Sequence, residues 1–79
     1  MRRPPGRIGN DTAEWEIRVE IGRRIAEMRR KLGLSARRVA EELDVSREAV
    51  THIETGRNNL SAVSLWKLAT IFHCDIKDF

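Results

Sequence analysis

Only one cysteine, Cys74, occurs in the 79 residues, so no internal disulfide can form. A lone thiol suits a reducing compartment. No apolar run approaches the ~18 residues that a membrane-crossing helix needs. The chain starts Met1-Arg2-Arg3-Pro4-Pro5-Gly6, a basic stretch that leads into no apolar segment, so it lacks the form of a secretory signal. Together these absences predict a cytoplasmic protein with no membrane contact. Catalytic groupings are missing as well: there is no Ser/His/Asp set, no paired-carboxylate arrangement and no Gly-rich phosphate loop. A chain this short also has little room for a deep pocket, so neither an enzyme, nor a cofactor, nor a small-molecule ligand is expected. Histidine occurs twice, at 52 and 73. His73, Cys74 and Asp75 are neighbours in sequence, but adjacent residues on one helix end cannot converge on a tetrahedral ion without further ligands. No metal site is expected.

What remains is the composition of a soluble globular domain, 41% hydrophobic and 34% charged. A single domain of this length buries about 60–65% of its unfolded surface, so one core must suffice. The net charge of +3 is a weak pointer to nucleic acid, and its distribution says more. Residues 21–40 carry seven Arg or Lys against one Glu, whereas 41–56 carry five acids against one Arg. The basic surface therefore comes from the segments that flank 41–56.

Residues 1–11, with Pro4, Pro5, Gly6 and Gly9, show no apolar periodicity and read as a flexible basic arm ahead of a domain over 12–79. Arg2, Arg3 and Arg7 in that arm suit phosphates, a minor groove or simple solubility. Asp11 and Glu14 have capping-box spacing, and no breaker follows before Gly33, which predicts a first helix over 12–32. Ile21, Ile25, Met28 and Leu32 recur at helical spacing and define its core stripe, with Trp15 and Val19 off it. Ser35 then caps a second helix over 36–43, with Val39, Ala40 and Leu43 inward. Ser46 caps a third over 47–55, with Val50 and Ile53 inward. A fourth helix runs from Val63 or Ser64 to Phe72 and buries Leu65, Leu68, Ala69 and Phe72. A last short turn or helix starts near Asp75 and uses Ile76 and Phe79. Nothing alternates with period two over strand length, so the expected fold is an all-α bundle of five helices.

Helices two and three, joined by a three- to four-residue turn, have the spacing of a helix-turn-helix, whose second helix enters a DNA major groove. Ala40 is small where they cross, and Val39, Leu43, Val45, Val50 and Ile53 supply the apolar contacts. From Ile21 to Phe79 the chain resembles the lambda-repressor-like, Xre-type helix-turn-helix family. The landmarks are Ile21-Gly22-Arg23-Arg24-Ile25, Arg29, Leu34-Ser35, Val39-Ala40, Val45-Ser46-Arg47, Ile53-Glu54-Thr55-Gly56-Arg57-Asn58 and Leu65-Trp66-Lys67-Leu68-Ala69. The run Arg57-Asn58-Asn59-Leu60-Ser61 is also similar to restriction–modification controller proteins, a subgroup of that family.

Three positions depart from the family pattern. Ala36 stands where the family usually has a phosphate-contacting Gln, so that contact is either absent or taken over by Arg37 or Arg38. Asp44 and His73 stand where Gly is usual at the ends of helices two and four, which predicts strain at His73.

The resemblance implies a dimeric transcriptional regulator that reads double-stranded DNA. Arg47, Glu48, Thr51 and His52 then face the bases from one polar stripe of helix three. Arg can pair with guanine O6 and N7, Glu can accept from cytosine N4, and Thr can touch a thymine methyl. Phosphates fall to the helix starts at Ser35 and Ser46, to Arg37 and Arg38, and to Arg57 and Asn58. Arg29 and Glu54 occupy positions that commonly pair between helices one and three. Trp66, Ile71, Ile76 and Phe79 form the expected dimer surface, with Trp15 and Val19 the second candidate. An antitoxin that neutralises a partner protein shares this fold and is the alternative. Such a task usually needs an extra segment, and only 1–20 lie outside the matching module.

Overall fold

Serines open three of the four helices. In the computed structural model, which describes residues 11–79, Ser35, Ser46 and Ser61 hold extended backbone with ψ of 157°, 158° and 160°. Their Oγ atoms accept the amide N–H of Arg38, Ala49 and Ser64. Each bond satisfies one of the donors that a helix start leaves without a partner, worth about 1 kcal/mol. The helices that follow are α2 (Ala36–Leu43), α3 (Arg47–Glu54) and α4 (Ala62–Phe72). α1 (Asp11–Lys31) precedes them, and a 3-10 turn (Ile76–Asp78) comes last. No strand occurs among the described residues and the fold is all-α. The fifth helix of the sequence reading is this single 3-10 turn, its start tied by the Asp75 amide donating to Asp78 Oδ2 at 3.0 Å. The basic arm lies outside the described residues except for Asp11, which already belongs to α1.

α3 packs against both α1 and α2, while α4 packs against α2 and the 3-10 turn. Ile25, Val39, Ala40, Leu43, Val50, Ile53, Leu68, Ala69, Phe72 and Phe79 meet in one cluster. Ile25, Leu68, Val39 and Val50 are its fully buried centre, each worth about 1.5–3 kcal/mol of burial.

Three expectations fail at the edges of this core. Leu32 is 48% exposed because α1 ends at Lys31 and the chain then turns away through Gly33, off the stripe that Ile25 and Met28 continue. Val45 is also exposed: its amide donates to Ala40 O inside the turn, and its side chain adds nothing to the α2–α3 crossing. Phe79, placed on an outward dimer surface, is buried instead and meets Phe72 edge-on at 6.1 Å.

The α1–α3 seam is closer than side chains would normally permit. A Cβ on Gly22 would press into the carbonyl oxygens of Ile53 and Glu54, 2.7 Å from the latter. Gly56, at φ 77°, faces Val19 so closely that a Cβ would stand 2.8 Å from its Cα. Only glycine suits either place.

Candidate nucleic-acid interface

α3 presents two unlike faces. Val50 and Ile53 are buried, which locks the inner side into the core. Arg47, Glu48, Thr51 and Thr55 are exposed and His52 is half-buried, so the five form one outward stripe. Thr51 Oγ1 donates to Arg47 O at 3.3 Å, and Thr55 Oγ1 to Thr51 O at 2.9 Å. Because each hydroxyl has a single hydrogen, Thr51 in this geometry offers acceptor lone pairs and its methyl outward.

The helix is fixed from behind by Arg29. Its Nε donates to Glu54 Oε2 at 2.6 Å and its Nη2 to Glu54 Oε1 at 3.3 Å, while Nη1 reaches Leu34 O at 2.9 Å. The two side chains are only 15% and 10% exposed. One guanidinium thus ties the end of α1, the loop before α2 and the last residue of α3 together.

The proposed phosphate residues fall into three groups. At the helix starts, the Ser35 and Ser46 Oγ atoms already accept a capping bond, which leaves their hydroxyl hydrogens and the first backbone N–H groups of α2 and α3 for an anion. Ala36 is half-buried against the core and offers nothing polar. On α2, Arg37 pairs with Glu41 at 3.8 Å and Arg38 with Glu42 at 3.1 Å. Such exposed i,i+4 pairs are worth about 0.3–0.5 kcal/mol, so a phosphate can displace them. Beyond α3, Arg57 and Asn58 are exposed in the loop. The Arg57 amide donates to His52 O at 2.8 Å, which leaves its side chain as the free group.

Part of the positive charge on α1 is already paired. Arg23 and Arg24 both reach Glu20, and their hydrogen bonds, Arg23's first, hold its carboxyl down to about 2. Arg23 also pairs with Glu27 at 3.1 Å. Among the described residues, Arg47 and Arg57 have no carboxylate partner, so the stripe and its following loop keep their cations free.

Two contacts carry no sequence signal. Arg18 Nε donates to Gly56 O at 3.3 Å and its Nη1 to Asn59 Oδ1 at 3.1 Å, across 38 and 41 positions of chain. Neither periodicity nor spacing could pair residues so far apart. On the opposite side, Trp66 is 68% exposed and Ile76 39%, Ile71 is half-buried, and Phe79 belongs to the core. The neighbouring Cys74 thiol is pushed up by burial and then by the charges of Asp78 and Asp75, which keeps it protonated. No group of three or more His, Cys, Asp or Glu side chains among the described residues is placed to hold a metal ion, and no helix there is long and apolar enough to cross a membrane.

Comparison with known proteins places this geometry. The helix-turn-helix family profile HTH_3 matches residues 25–79. An uncharacterized HTH-type transcriptional regulator of Archaeoglobus fulgidus is 34% identical over 55 residues, 70% of this chain and 79% of that protein. Among solved structures, the restriction-modification controller protein C.AhdI from Aeromonas hydrophila superposes with a TM-score of 0.79 at 30% identity, over 87% of this chain and 97% of that one. The clp gene regulator ClgR from C. glutamicum shares the fold at a TM-score of 0.75 and 24% identity, over 78% and 80% of the two chains. With the profile covering α2, α3, α4 and the second part of α1, the chain belongs to the lambda-repressor-like, Xre-type helix-turn-helix family.

Proposed function

We propose that the chain is a transcriptional regulator of the controller type, acting in the cytosol as a symmetric homodimer that binds a near-palindromic DNA operator. The observation that carries this reading is the outer face of α3. An exposed, unpaired Arg47 stands beside Glu48 and Thr51 on a helix whose other face is locked in the core. α3 lies in the major groove with Arg47, Glu48, Thr51 and His52 toward the bases. The α2 and α3 starts, with Arg37, Arg38, Arg57 and Asn58, hold phosphates. The likeness to C.AhdI over nearly all of that chain supports the controller assignment. One recognition helix covers too few base pairs for a useful specificity ratio, which favours two copies with their helices ~34 Å apart. Trp66 and Ile76 supply the apolar contact, with Ile71 at its edge.

Selection of binding sites from random duplex DNA at a recorded salt concentration tests the reading directly. On the selected site, Arg47→Ala costs about 1–3 kcal/mol and relaxes one base pair, while Arg57→Ala weakens all sequences alike. Equal weakening of selected and random DNA by both substitutions would overturn the division between base and phosphate contacts.

A further inference from the structure

The first part of α1 lies ahead of the matched family profile and reaches the loop that follows α3. Three contacts make the connection. The Arg18 guanidinium bridges two acceptors of that loop, the Gly56 carbonyl at 3.3 Å and the Asn59 side-chain oxygen at 3.1 Å. Its own direction is set by Trp15, whose ring centroid is 5.6 Å from Arg18 Cζ. Val19, one residue on, packs directly on Gly56. The two loop acceptors lie on either side of Arg57 and Asn58, so the bridge spans the pair assigned to phosphate while both remain exposed.

We infer that Arg18 is a positioning residue for DNA binding, holding the 56–59 loop in the shape that presents Arg57 and Asn58 to a phosphate. The inference rests on the reading that this loop meets DNA. A guanidinium suits the task because its planar fork can donate to two acceptors at once, whereas an ammonium of equal charge is a compact point with no such fork. A loop freed from the bridge samples other shapes, and affinity falls by the fraction that remains competent. Loss of the bridge therefore weakens selected and random DNA equally.

The test measures affinity of the full chain for the selected duplex and for random duplex at fixed salt. Arg57→Ala comes first: if it changes neither affinity, the loop is not at the DNA and the inference falls with that reading. Given a loss there, Arg18→Gln and Arg18→Lys each weaken both duplexes roughly tenfold, as expected if about a tenth of the loop population stays competent. In an Arg57→Ala background the further effect of Arg18→Lys shrinks to less than about twofold, because the two residues act through one contact. Full binding by Arg18→Lys would show that charge alone matters, and an undiminished loss in the Arg57→Ala background would show that Arg18 acts elsewhere; either result overturns the proposal. Should the Arg18 variants lose their helical circular dichroism, Asn59→Ala decides, since it removes one acceptor without touching α1. A loss of roughly threefold on both duplexes then supports the bridge, and unchanged binding refutes it.

Discussion

The two sides of the bundle are finished differently. On the α1–α3 side the contacts are made at close range: backbone meets backbone at Gly22 and Gly56, and farther along α1 a bidentate ion pair joins Arg29 to Glu54. On the outer side of α4, Val63 is 63% exposed and Trp66 68%, beside a shallow groove where Trp66 and Ile76 stand with the polar His73, Asp75 and Asp78. Scattered exposed apolar residues are ordinary, but a Trp that leaves two-thirds of its surface in water is not. The first side holds one helix in one pose. The second leaves apolar side chains in water.

The same contrast runs through the helix ends. Where the chain leaves α3 in the left-handed region the residue is Gly56, because Val19 leaves no space for a side chain. Where it leaves α2 and α4 the residues are Asp44 at φ 61° and His73 at φ 56°, both exposed. Asp and His enter that region more readily than most residues, and no neighbour there forbids a side chain.

Substitutions on the tight side break this comparison most sharply. Glu54→Gln leaves the Arg29 guanidinium buried without its counter-charge and lowers unfolding free energy by about 3 kcal/mol in urea titration. Gly22→Ala forces α1 away from the Ile53 and Glu54 carbonyls and costs about 2 kcal/mol, despite the better helix propensity of alanine. On the open side, Trp66→Ala with Ile76→Ala leaves the monomer's stability within about 0.5 kcal/mol. The same pair weakens self-association by about 2 kcal/mol in sedimentation equilibrium, and an unaffected dimer would remove this face as the contact. His73→Gly is the mildest: it removes left-handed strain of about 1 kcal/mol but frees the unfolded chain, for a net gain of roughly 0.5 kcal/mol in thermal unfolding.

Much of the fold was legible because its signals are local. Ser35 and Ser46 mark their helix starts to the residue, since a cap is a bond across three positions. Inner faces at Val39, Leu43, Val50 and Leu68 follow from periodicity, which is equally local. Periodicity tells which way a side chain points, but not where the neighbouring element stops. Leu32 falls just past the end of α1 and Val45 in the turn, so neither reaches the core, while Phe79, after a three-residue turn, folds back onto Phe72. In the site, the outward stripe of α3 was visible for the same reason as the core. The Arg18 bridge was not, because its partners meet only when α1 lies against α3.

Gly22 has a second consequence, in the cooperativity of α1. A glycine within a helix costs about 0.5–1 kcal/mol relative to alanine, so α1 is weakest near its own middle. C-terminal to it, Ile25 and Arg29 are anchored in the core and in the ion pair. N-terminal to it, Ile21 still packs against the core, and the turns ahead of Ile21 are held through Val19 and Arg18 against residues 56–59. α1 is therefore one rod in shape and two units in stability, and the amides ahead of Ile21 form the segment that opens first, exchanging with solvent while the remainder stays protected.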